Sequence, residues 1–104
     1  MARTAETIEL LNINTGRANG RIPLKRYNAM KRALLKVIPR RSDGVAYAQL
    51  KQLAPRHLPA WWHDEGWSVA WHIAVVKLDL EARGELERVP AKRPMHVRRV
   101  RRVK

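Results

Sequence analysis

The chain has 104 residues, with 22 Lys and Arg against 9 Asp and Glu for a formal charge of +13, and it has no cysteine. Its length fits one domain, since most domains run roughly 100–150 residues, and a 45% hydrophobic fraction supports a core, which argues against a disordered chain. The missing cysteines exclude disulfides, thiolate nucleophiles and Cys-ligated zinc; no apolar run reaches the ~18 residues of a membrane span; and Met1 to Glu6 opens no apolar leader, so the expected compartment is the cytoplasm.

A single domain over 1–104 is expected, with residues 1–6 and 101–104 flexible. Thr7 to Ile13 is short and β-branched at its ends, which predicts a strand. Asn14-Thr15-Gly16 and Asn19-Gly20 are turn signals, so 14–21 reads as a loop. Pro23 suits the first turn of a helix over about 23–38, where Leu24, Tyr27, Met30, Leu34, Val37 and Ile38 recur at steps of three and four. Pro39 stops it. A second helix is predicted from about Ala46 to Ala54, with Leu50, Leu53 and Ala54 inward and Pro55 ending it. Residues 55–66 hold Pro55, Pro59 and Gly66 and read as a connection that carries two Trp.

A third helix is predicted from about Trp67 to Arg83. Val69, Ile73, Val76 and Leu80 form one apolar row, with Trp67, Trp71, Ala74, Val75, Leu78 and Ala82 beside it. Two rows exceed what a surface helix needs. Gly84 is the expected C-cap. Strands are predicted at Leu86–Val89 and from Met95 to about Val100, around the turn Pro90-Ala91-Lys92-Arg93-Pro94.

Strand, three helices, strand, basic turn and strand is the order of a winged helix-turn-helix with an extra N-terminal strand, an α+β fold. Val45 fits the short strand before the second helix, and Leu80 to Leu86 has the helix-Gly-strand hand-over that leads into a wing. Trp71, Ile73, Val76, the run Leu78-Asp79-Leu80-Glu81-Ala82 and Gly84 also make the chain resemble a family of small, uncharacterised bacterial proteins with a winged-helix-like C-terminal half. Tyr27, Met30 and Leu34, and Gly44 with Leu50, add to the resemblance, which covers residues 7 to about 98. It implies a fold and not an activity. The chain departs from the family at Ala74, where a basic residue is usual, and at Ala46, where a Thr-type helix cap is usual; losing such a cap costs about 1 kcal/mol.

The charge lies in two blocks. Residues 10–42 hold nine bases and no acid, residues 88–104 hold eight bases and no acid, and the centre from 43 to 87 is net −3. Single-sign blocks repel themselves, so they point to a polyanionic partner. Candidate nucleic-acid contacts are Lys25, Arg32, Lys36, Arg40 and Arg41 in the first block, and Lys92, Arg93, Arg98, Arg99, Arg101 and Arg102 in the wing and tail. Arginine forks match phosphate oxygens there; the alternative is a solvated tail. A major-groove reader needs polar side chains early in its recognition helix. The third helix offers only Ser68 and His72 in that half, followed by Lys77, so His72 and Lys77 complete the candidate list. The competing reading makes this helix core, with one row at a subunit interface.

Trp61, Trp62, Trp67 and Trp71 crowd into the acidic centre, away from phosphate-tracking bases, and so suit packing or an interface more than base stacking. Trp61 and Trp62, beside Pro59, are the candidates for an exposed patch. His57, His63, His72 and His96 lack zinc-motif spacing, so no metal or other cofactor is expected. No nucleophile elbow or Gly-rich phosphate loop occurs, and no catalytic residue is assigned. The leading expectation is nucleic-acid binding, DNA before RNA, through phosphate contacts. Its rival is a homodimeric interaction module.

Overall fold

The computed structural model describes residues 6–40, 43–90 and 92–100. It is a mixed α+β fold. Strands β1 (Thr7–Asn12) and β2 (Arg17–Pro23) form an antiparallel hairpin that leads into helix α1 (Leu24–Val37). Strand β3 (Val45–Ala46) and helix α2 (Tyr47–Leu53) follow, then a 3-10 turn at Ala54–His57, helices α3 (Ala60–Glu65) and α4 (Val69–Ala82), and strands β4 (Leu86–Arg88) and β5 (His96–Arg99). The second sheet has the order β3-β5-β4, all antiparallel, with Val45 opposite Val97 and Leu86 opposite Arg99.

Two expectations are corrected. Residues 14–21 are not all loop. Asn14-Thr15-Gly16 is the tip of a hairpin, where the Thr15 and Gly16 amides donate to the Asn12 carbonyl, and the chain returns as β2. β2 is poor in strand-forming residues, and its pairing with β1 overrides that local preference. Residues 55–66 are not a plain connection either: they hold the 3-10 turn and α3. Pro59 occupies the position before α3, and Gly66, at φ +68°, ends it in the left-handed region.

The core gathers around α4, which is packed by β1, α1, α2 and β4. Tyr27, Met30, Ala33 and Leu34 of α1 meet Ile73, Val76 and Leu80 of α4, with Leu10, Leu50, Trp62, Leu86 and Val97 closing the cluster. A register shift between Glu9 and Leu11 lets Leu10 turn into this core and frees the Leu11 amide from the strand ladder. Ser68 caps α4 by accepting from the Trp71 amide at 3.1 Å. Gly44 is required twice over. Its φ is +62°, and an added Cβ would run into the Val97 carbonyl of β5.

Candidate functional site

The charged residues divide into those that hold the fold together and those that face out. α4 carries Lys77, Asp79 and Glu81, and all three are buried. A buried carboxylate needs its lone pairs filled. Asp79 accepts from the Leu11 amide at 2.9 Å, the Tyr27 hydroxyl at 2.5 Å and the Arg83 guanidinium at 2.8 Å, which ties β1, α1 and α4 to one side chain. Burial, then the bond to Asp79, pushes the Tyr27 phenol above its ordinary range, and the same carboxylate raises the Arg83 guanidinium. Lys77 donates to Glu81 at 2.8 Å, and Glu81 accepts a second bond from Arg88 at 2.9 Å. Lys77 also lies 5.2 Å from the centre of the Tyr47 ring.

His72 and Lys77, two of the sequence candidates for nucleic-acid contact, are therefore enclosed, at 3% and 4% exposure. The His72 ring donates from Nδ1 to the Ser68 carbonyl at 2.6 Å and packs edge-on against Trp62 with centroids 4.7 Å apart. Burial holds its pKa below the usual histidine value, and the Arg26 charge acts the same way.

The tryptophans are also placed differently from expectation. Trp62 is fully buried, Trp61 and Trp67 are half-buried, and Trp71 is half exposed. Trp62 and Trp67 cross edge-on at 5.4 Å, and Trp61 and Trp67 at 5.7 Å. Two successive cations of α1 clamp this cluster: Lys25 over Trp61 at 4.2 Å and Arg26 over Trp67 at 3.5 Å. Trp62 is thus core, and the exposed ring is Trp71, on the same side of α4 as Ala74 and Leu78.

The outward charges collect in two places. The first is an open groove of about 530 Å³ between α1 and the segment from the 3-10 turn to α3. Lys25, Arg32 and Lys36 of α1 line one wall with Asn28; Arg56, His57 and Trp61 line the other. Among the described residues, no carboxylate lines it. Lys25 is shared with Glu65 at 3.6 Å. The sequence reading missed Arg56, His57 and Asn28. Their only signal is a basic pair after Pro55, and nothing local says that this turn packs against α1.

The second place is a pocket of about 160 Å³ lined by Leu35, Arg40, Arg83, Gly84, Glu85, Arg99 and Val100. Here the two basic blocks meet: Arg40 belongs to the first and Arg99 to the second. The Arg99 amide donates to the Pro39 carbonyl at 2.9 Å, so β5 is hydrogen-bonded to the end of α1.

Lys92 and Arg93 are exposed at the β4–β5 turn. Arg98 pairs with Glu87 across the two strands at 2.6 Å. Arg41, Arg101 and Arg102 lie outside the described residues. Among the described residues, no three of His, Asp or Glu converge as a metal-ligand group, and no helix is long and apolar enough to cross a membrane.

The model of DUF6958, a family of unknown function, matches residues 7–97. No curated protein and no solved structure matches the chain.

Proposed function

The chain belongs to DUF6958, a family of unknown function, and we propose from its surface that it binds nucleic acid, duplex DNA first, through the phosphate backbone. The observation that carries this reading is the acid-free groove with Lys25, Arg32, Lys36 and Arg56 around it. A row of cations along one helix, faced by Arg56 across the groove, can track a phosphate chain, and phosphate contacts fix position without reading sequence.

The order α1, β3, α2, α4, β4, β5, with the short α3 inserted between α2 and α4 and strands paired β3-β5-β4, supports a winged-helix reading, with Lys92 and Arg93 at the wing tip. In that reading α4 stands where a recognition helix stands. Its charges are buried and its outer row is Trp71, Ala74 and Leu78, so it brings no charged or amide side chain to a base edge, and binding has weak sequence preference. Fluorescence anisotropy on labelled duplex DNA and duplex RNA over a salt series tests this. Four groove cations, Lys25, Arg32, Lys36 and Arg56, give a log–log slope of roughly −4 on B-DNA, and no binding at low salt overturns the reading.

Trp71, 50% exposed beside Ala74 and Leu78, favours a second reading, a homodimer joined through α4. Light scattering of the protein and of Trp71→Ser separates the two. A dimer that becomes monomeric in Trp71→Ser and ignores DNA supports the second reading alone.

A further inference from the structure

The pocket at the ends of α1, α4 and β5 differs from the groove in size and in chemistry. Its three arginines come from three separate parts of the chain and converge on one space: Arg40 follows α1, Arg83 caps α4, and Arg99 ends β5. Two of them are positioned by the fold. Arg83 gives its Nε to Asp79 at 2.8 Å and its Nη2 to the Glu9 carbonyl at 2.9 Å, which leaves Nη1 without a partner among the described residues. Arg99 is held through its main chain to Pro39, and its Nη1 makes one long contact of 3.5 Å to the Leu35 carbonyl. The one carboxylate of the lining, Glu85, is paired with Lys31 at 3.1 Å. The Val100 amide bonds the Glu85 carbonyl at 3.0 Å, which fixes the rim.

We propose that this pocket binds a phosphate monoester, as a terminal group. Charge and size both lead there. A monoester carries roughly −1.5 to −2 charges near neutrality, where a backbone diester carries one, and convergent guanidinium forks gain most from the higher charge. The negative end of α4 opposes an anion with about half a charge, which the Arg40 and Arg99 guanidiniums outweigh even with Arg83 balanced by Asp79. The pocket has a volume of about 160 Å³. That is below the ~300 Å³ at which sites for whole organic ligands begin. The pocket therefore takes an end and not a passing chain, whether the 5′-terminal phosphate of a strand or the phosphate of a small metabolite. The inference does not depend on the groove.

The test uses the full chain with inorganic phosphate, and with a thymidine octamer carrying either a 5′-phosphate or a 5′-hydroxyl. Amide NMR of the unmutated protein reads the first arm. Inorganic phosphate shifts the Gly84 and Val100 signals, and sodium chloride at the same ionic strength does not. Binding of the two octamers reads the second. A preference of tenfold or more for the 5′-phosphate, lost in Arg40→Gln with Arg99→Gln and kept in Arg32→Gln with Lys36→Gln, establishes a strand end as the source. Phosphate-induced shifts without an octamer preference establish a small phosphorylated molecule as the source. If phosphate leaves Gly84 and Val100 unmoved and the octamers bind alike, the inference is wrong, even where duplex DNA still binds the groove.

Discussion

α1 and α4 are both 14 residues long and pack against each other, yet they handle charge in opposite ways. α1 is amphipathic: Tyr27, Met30 and Leu34 go inward, and Lys25, Arg32 and Lys36 go out to the groove. α4 is apolar nearly all round, and its three charges are inside, each met by a partner from another element or by its own next turn. The contrast shows that charged residues in a helix say little about binding until their side is known. The cations of α1 can release counterions from a polyanion; Lys77 of α4 cannot, because Glu81 and the Tyr47 ring already enclose it.

Attacking the interior network is the strongest test of that contrast. Asp79→Ala leaves the buried Tyr27 hydroxyl and the Leu11 amide without their acceptor and takes the Nε partner from Arg83. Breaking a buried pair from one side costs about 3–5 kcal/mol. Denaturant unfolding should show a loss in that range, and a loss under about 1 kcal/mol would mean the network is ornamental. Gly44→Ala attacks the close approach of the chain before β3 to β5. The left-handed φ alone costs about 1–2 kcal/mol, and the Cβ also meets the Val97 carbonyl. A thermal midpoint within a degree of the parent would refute that account.

These two sites also mark what could be read from residues alone. The stripe of α1 was legible because Leu24 to Ile38 repeats cleanly at helical spacing and Pro23 and Pro39 bracket it. α4 was legible as a helix, and its double apolar row pointed to burial on more than one side. The burial of Lys77, Asp79 and Glu81 was not legible. Their partners Tyr27 and Arg88 lie far away in sequence, so only the tertiary fold brings them close. The six-residue α3 is hidden because Pro55, Pro59 and Gly66 together read as a connection, although Pro59 before and Gly66 after are proper start and stop signals. Three cations of the proposed surface, Lys25, Arg32 and Lys36, are legible as bases of the first block between the apolar positions of α1. Arg56 is not, because its role depends on how the 3-10 turn docks. Trp61 and Trp62 read as an exposed pair from their place beside Pro59, and the tight helix there turns Trp62 inward instead.

A smaller effect follows from His72. Its pKa is lowered in the fold, so below about pH 6.5, the ordinary histidine value, the unfolded chain takes up a proton that the folded chain refuses. Stability therefore falls as pH drops below that point and is complete above it, with a slope of at most ~1.4 kcal/mol per pH unit. His72→Phe keeps the ring between Trp62 and Trp71 and removes the proton. The stability of the variant should be flatter than the parent's between pH 5 and 6.5. Equal slopes would show that other groups set the acid limb.

The mildest change to the fold separates the two helices most cleanly. Arg32→Gln with Lys36→Gln removes two outward cations of α1 that carry no ion pair among the described residues. Exposed positions of this kind usually move stability by no more than about 0.5 kcal/mol. Each phosphate contact contributes about 0.9 to the salt slope, so the pair should flatten the log–log slope on duplex DNA by about 1.8 while the unfolding curve stays in place. Asp79→Ala gives the opposite pattern, a damaged fold with every groove cation retained. If the double variant keeps the parent's slope, the groove is not the surface that meets the backbone, and the outward charge of α1 has to be explained as solubility alone.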